Sequence, residues 1–124
     1  MGELIYKEEV FRIIGCCMEV HRELSKGHSE IIYKDALEIE FQRQGFGFSR
    51  EREYTLTYKG VVLPHKYFAD FVVLDKIILE AKAIESLTDS HVGQTLSYLA
   101  AAKLRLGLLV NFGEDSLAYK RVVL

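Results

Sequence analysis

Between Lys7 and Leu24, the apolar residues Val10, Ile13, Ile14, Cys17, Val20 and Leu24 recur at steps of three and four. That is the spacing of one face of an amphipathic helix. Gly27 follows and supplies a stop. Ser29 can cap a second helix reaching about Gln44, with Tyr33, Ala36, Leu37 and Phe41 on its inner stripe and Gly45 and Gly47 ending it. The period then changes. Residues 50–58 alternate loosely, Lys59-Gly60 is a turn pair and residues 61–63 begin a return arm, which together predict a hairpin. Pro64, the only proline, is expected to interrupt that arm before a stronger strand resumes near Tyr67.

Residues 67–74 and 77–84 are dominated by Val, Ile, Leu and Phe, the composition of strands covered on both faces. Thr88 or Asp89 can cap a third helix to about Arg105, with Val92, Leu96, Leu99 and Ala100 turned inward. A short strand at residues 106–111, a loop at 112–116 and a last strand at 119–124 complete the chain. The order α-α-β-β-β-α-β-β predicts an α/β sandwich, a mixed sheet with helices on its faces. No internal repeat, low-complexity tract or linker breaks the sequence, so one domain over residues 1–124 is expected.

Charges inside the two strongest strands need a reason. Asp70, Glu80 and Lys82 lie there, and an unpaired charge in such a place costs several kcal/mol. Glu80 and Lys82 share one face, because side chains alternate with period two. Asp70 is harder to place. A plain two-residue turn at Asp75-Lys76 would set Asp70 against Ala81 and leave Glu80 on the other face; convergence requires a loop of Leu74-Asp75-Lys76, or a bulge. A buried ion pair that only holds the sheet is one reading of the three charges. Such pairs rarely stabilise more than an apolar replacement does, which favours a functional cluster. Carboxylates are the ligands Mg²⁺ prefers, and a neighbouring ammonium can hold a water or a phosphate oxygen.

Glu30 lies three residues before Tyr33 and seven before Leu37, on the core-facing stripe of the second helix, so it should point at the sheet. A glutamate in a first turn also complements the helix dipole with no further role. Gln94 and Tyr98 form a row with Ala101 and Arg105, apart from the face of Val92, Leu96 and Leu99; the row either edges a site or is a solvated flank. His28 and His65 stand near Glu30 and Asp70 in sequence, while His21 and His91 read as peripheral, and surface roles are expected for all four. Lys34, Arg50, Arg52, Lys103 and Arg105 could meet phosphates, but read as ordinary solvated charges.

Composition narrows the function. The 124 residues, about half of them apolar at 49%, suffice for one core. Sixteen basic and eighteen acidic residues give a formal charge of −2, which is no footprint for tight nonspecific nucleic-acid binding, so any such contact must use a local patch. The opening Met1-Gly-Glu-Leu-Ile-Tyr lacks a basic region followed by an apolar one, and no apolar run approaches the ~20 residues that span a bilayer. A cytoplasmic protein without a membrane partner is expected. Cys16 and Cys17 are neighbours that cannot easily bridge each other, and they have no ligand spacing to a histidine; packing is their expected role.

Gly27-His-Ser-Glu-Ile-Ile-Tyr33 resembles the Gly-x-x-Glu-x-x-Tyr signature of the GxxExxY proteins, and Asp70 followed by Glu80-Ala-Lys82 resembles the PD-(D/E)xK nuclease motif. Tyr58-Lys-Gly60, the pair Gln94 and Tyr98, and Gly107-Leu-Leu-Val-Asn-Phe-Gly113 are similar to recurring segments of the same family. The resemblance implies a restriction-endonuclease-like fold, a mixed central β-sheet flanked by helices, and a site that cuts phosphodiester bonds in DNA with Mg²⁺ or Mn²⁺. It makes Asp70 and Glu80 metal ligands, with the backbone carbonyl of Ala81 a third. Glu30 would be the acid contributed by the preceding helix, Lys82 the residue that orients or activates the attacking water, and Gln94 the helix residue steadying the site. Cutting both strands would favour a homodimer.

Two positions depart from the pattern: Ala69 stands where a proline is usual before the aspartate, and Ser25-Lys-Gly27 where Gly-x-Gly is common. A binding or regulatory module that keeps the fold without cleaving nucleic acid is the alternative, and hydrolysis of a small phosphoester a third. A degenerate member would be expected to lose Asp70, Glu80 or Lys82, and all three are present.

Overall fold

The structure is a computed structural model that describes residues 4–124; Met1, Gly2 and Glu3, on which part of the N-terminal reading rested, lie outside them. The described chain forms α1 (Lys7–Leu24), α2 (Glu30–Gln44), β1 (Phe48–Tyr58), β2 (Val61–Val73), β3 (Ile77–Lys82), α3 (Asp89–Ala102), β4 (Leu106–Asn111) and β5 (Ala118–Val123). The strands build one sheet in the order β1-β2-β3-β4-β5. All neighbours are antiparallel except β3 and β4, which run parallel because α3 carries the chain from one to the other. This is the restriction-endonuclease-like α/β arrangement. No helix among the described residues is long and apolar enough to cross a membrane.

Each sheet face has its own cover. Ile13 and Cys17 of α1 and Tyr33, Leu37 and Phe41 of α2 pack on Phe71, Val73, Ile77, Leu79, Leu108 and Val110. Leu99 of α3 packs on the opposite face, with Ala69, Val72, Ile78, Leu109 and Val122. β4 lies between two strands and under helices on both sides, and all six of its residues are buried, which is why it reads as a continuous apolar run. Gly107 lets α3 come close: a Cβ there would stand 2.7 Å from Cγ2 of Thr95.

Several expectations change. β2 is not broken at Pro64 but runs through it. The proline is accommodated at a bulge, where Leu56 alone lies between the pairs Thr55–Lys66 and Thr57–Val62 while β2 spends Leu63, Pro64 and His65 on the same interval. α1 ends on Ser25, which takes a left-handed φ of 57° and donates its N–H to the His21 carbonyl at 2.8 Å, before Gly27 is reached. α3 stops at Ala102, with Lys103 left-handed. Thr95 and Leu99 are its buried residues, Val92 and Leu96 pack half-buried on the same core as expected, and Ala100 is exposed.

His21 is not peripheral. It is buried against Phe112, with ring centroids 6.3 Å apart, and its Nε2 lies 2.9 Å from the Glu114 carbonyl oxygen. β3 ends at Lys82, short of Ile84, because the Asn111 side chain then holds the chain: it accepts the Ile84 N–H at 3.0 Å and donates to the Ile84 carbonyl at 2.9 Å.

Candidate active site

The β2–β3 connection sets the geometry. Val73 pairs with Ile77, Val72 with Ile78 and Phe71 with Leu79, so the loop is Leu74-Asp75-Lys76. Leu74 and Asp75 both adopt left-handed backbone, φ 57° and 56°, and the Lys76 N–H donates to the Val73 carbonyl at 3.2 Å. This is the odd loop that convergence demanded. Carried one step further, the register sets Asp70 against Glu80.

At that step side chains replace the backbone ladder. The Asp70 N–H donates to Glu80 Oε2 at 2.7 Å, and the Ala81 N–H donates to Asp70 Oδ2 at 2.8 Å. The two buried carboxyls are thus wedged between β2 and β3, each satisfied by the opposite strand's main chain. β1 is irregular beside them: Arg50 pairs with Phe71 and Arg52 with Ala69, and Glu51 between them takes φ 53°.

Crowding two acids in a buried place has an electrostatic consequence. Burial, with the charge of Asp70 beside it, pushes the Glu80 carboxyl up to about 8, so it holds a proton at neutral pH. Lys82 lies two residues further along β3 and sends its Nζ to Gln94 Oε1 at 3.3 Å, which brings α3 to the site. Glu30, the first residue of α2, is half-buried; burial raises its carboxyl, Asp70 adds to this, and Lys82 and Lys34 oppose it. Tyr98 meets the same field: burial and then the charges of Glu80 and Asp70 raise its phenol, and its ring edges against Tyr67 at 5.3 Å.

Lys34 belongs to this cluster, although its sequence context reads as a solvated charge. Its side chain is 11% exposed, with Nζ 3.1 Å from Asp70 Oδ1 and 3.0 Å from Glu51 Oε1. Burial works against its charge, but Glu51 and Asp70 outweigh that, and the ammonium holds its proton more tightly than an ordinary lysine. One signal was available: Lys34 follows Glu30 by four residues and so shares its row on the helix.

The remaining candidates stay away from the acids. Arg50 is tied to Asp35 and Glu38 at 2.8 and 3.3 Å, and Arg52 to Asp75 at 3.2 Å. Lys103 and Arg105 are exposed. His28 is exposed at the edge of Tyr33, His65 lies on the β1–β2 hairpin beside Tyr67, and His91 closes the capping box of α3 with Thr88.

Among the described residues no three His, Cys, Asp or Glu side chains are grouped so as to hold a metal ion. Glu30 does not complete such a set with Asp70 and Glu80. The donors nevertheless suit a hard divalent cation in kind, being oxygens. In position, the two carboxyls meet between β2 and β3, where burial first and the charge of Asp70 second raise that of Glu80.

A mixed five-stranded sheet thus carries two acids and a lysine on its antiparallel pair β2–β3. The chain belongs to the PD-(D/E)XK nuclease superfamily, whose sequence model matches residues 7–122. No curated protein matches it. Among solved structures, the crystal structure of SSO0001 aligns with a TM-score of 0.61 at 21% identity over 95% of this chain and 57% of that one. The chain therefore spans a little over half the length of that structure's chain, and the likeness is one of fold.

Proposed function

We propose that the protein is a divalent-metal-dependent nuclease that hydrolyses phosphodiester bonds in DNA, of the GxxExxY type, with Mg²⁺ or Mn²⁺ as the ion. Superfamily membership supports nuclease activity. The observation that carries the site is the three-residue β2–β3 loop, which puts Asp70 and Glu80 opposite each other with Lys82 beside them.

In this reading Asp70 and Glu80 hold the ion, with the Ala81 carbonyl a further oxygen and Glu30 an acid at the edge of the site. The ion supplies charge neutralisation at the phosphate and a more acidic water. Glu80 must give up its proton to serve as a ligand, and its direct contact with the Asp70 N–H holds its carboxyl in place meanwhile. Lys82, steadied by Gln94 at 3.3 Å, aims an ammonium at the attacking water or at the scissile phosphate. Tyr98 and Tyr67 wall the cluster on the α3 side. Cutting both strands of a duplex would favour two copies, hence a homodimer.

The test is incubation of purified protein with plasmid, single-stranded and branched DNA in Mg²⁺ or Mn²⁺, beside Asp70→Ala and Lys82→Ala. Metal-dependent cleavage lost in both variants supports the proposal. Cleavage equal in wild type and variants assigns the activity to a contaminant, and metal binding without cleavage favours a nucleic-acid-binding module instead.

A further inference from the structure

We propose that Lys34 is a resident counter-cation for the acid pair, one that a divalent ion must displace and that Glu51 receives when it is displaced. The inference rests on the metal-binding reading above. A lysine with 11% of its side chain exposed, sitting 3.1 Å from one oxygen of Asp70, occupies a direction from which that carboxylate would grip a metal. The other oxygen, Oδ2, already accepts the Ala81 N–H at 2.8 Å. Asp70 therefore has both oxygens engaged, and a cation approaching it competes with an ammonium of like sign.

Glu51 makes the exchange feasible. An ammonium pushed off Asp70 with no other partner would be a buried unpaired charge, which is strongly unfavourable. Lys34 already donates to Glu51 Oε1 at 3.0 Å, and the Glu51 side chain is 48% exposed, so the pair can persist after Asp70 is surrendered. Glu51 is held in this place by a backbone irregularity: it is a non-glycine residue at φ 53° in the middle of β1, flanked by regular pairs on both sides. Such conformations persist only where the surroundings impose them, and they concentrate at functional sites. Here the irregularity coincides with the one acid on β1 that meets Lys34.

Two substitutions should move metal affinity in opposite directions. Lys34→Met removes the competing charge, and its Mn²⁺ dissociation constant by titration calorimetry should fall roughly tenfold or more, since like charges a few ångströms apart repel strongly in a partly buried site. Glu51→Gln removes the receiving partner from an exposed position, commits Lys34 to Asp70 and should weaken Mn²⁺ binding severalfold. In the Lys34→Met background the Glu51→Gln change should lose most of that effect, because it acts through the lysine. Lys34→Arg keeps the charge and should bind Mn²⁺ no more tightly than wild type, which covers the case in which Lys34→Met fails to fold. Equal or weaker binding by Lys34→Met, tighter binding by Lys34→Arg, or an undiminished Glu51→Gln effect without Lys34 overturns the inference. No Mn²⁺ uptake by wild type and variants alike sinks the metal-binding reading itself, a separate outcome.

Discussion

Replacing Glu80 by glutamine should make the metal-free protein more stable, by an amount that grows with pH. The carboxyl titrates near 4.5 in the unfolded chain and near 8 in the folded one, where burial and Asp70 oppose its charge. Between those values the folded chain keeps a proton that the unfolded chain has released, so stability falls as the pH rises; below 4.5 both states are protonated and nothing is lost. At about 1.4 kcal/mol per pH unit of separation, the loss is under about 1 kcal/mol at pH 5 and up to about 3 kcal/mol at pH 7. Glutamine is neutral throughout and keeps an oxygen for the Asp70 N–H, now bonded at 2.7 Å. For a chain of this size 3 kcal/mol corresponds to roughly 10 °C in Tm. Thermal unfolding of both proteins in EDTA at the two pH values reads the difference directly. An equal gap at both, or a variant less stable than wild type at pH 7, refutes the reasoning.

The same proton governs ligand binding: Mn²⁺ affinity measured by calorimetry should rise by up to about tenfold per pH unit toward pH 8 and then level off as Glu80 loses its proton. A flat profile from pH 6 to 8 would remove Glu80 from the ligand set. Away from the acids, Asn111→Ala should cost at least about 3 kcal/mol in urea unfolding, because its side chain bonds both main-chain groups of Ile84, the Gly113 N–H and Glu114 Oε2. Gly113→Ala should cost about 2–3 kcal/mol or more, since its Cβ would overlap the Ile84 carbonyl and amide, which are main chain and cannot step aside cheaply.

The pattern of apolar positions was enough for the architecture, and the reasons are local. α1 was legible over Lys7–Leu24 because its apolar stripe is regular, although Ser25 and not Gly27 ends it. Buried strands announced themselves through unbroken runs, and the acids stood out against that background. Register decides the site: with a period of two, the length of a single loop settles whether Asp70 meets Glu80, and the loop has the length that joins them. Long-range placement was not legible. Nothing near Lys34 in the sequence tells that Asp70 and Glu51 are its partners, since they lie 36 and 17 residues away. His21 read as peripheral because the partners that bury it, Phe112 and Glu114, come from the far end of the chain. Pro64 read as a strand break because a bulge that admits proline leaves no local signature.

The central claim is that Asp70 and Glu80, wedged between β2 and β3, hold a divalent cation beside Lys82. Anomalous diffraction from crystals grown in Mn²⁺ tests it most directly. The account predicts a peak between the two carboxyls, with Lys34 turned away from Asp70 and still bonded to Glu51. Saturating Mn²⁺ with no peak at that place, and the Lys34–Asp70 pair intact, would contradict it.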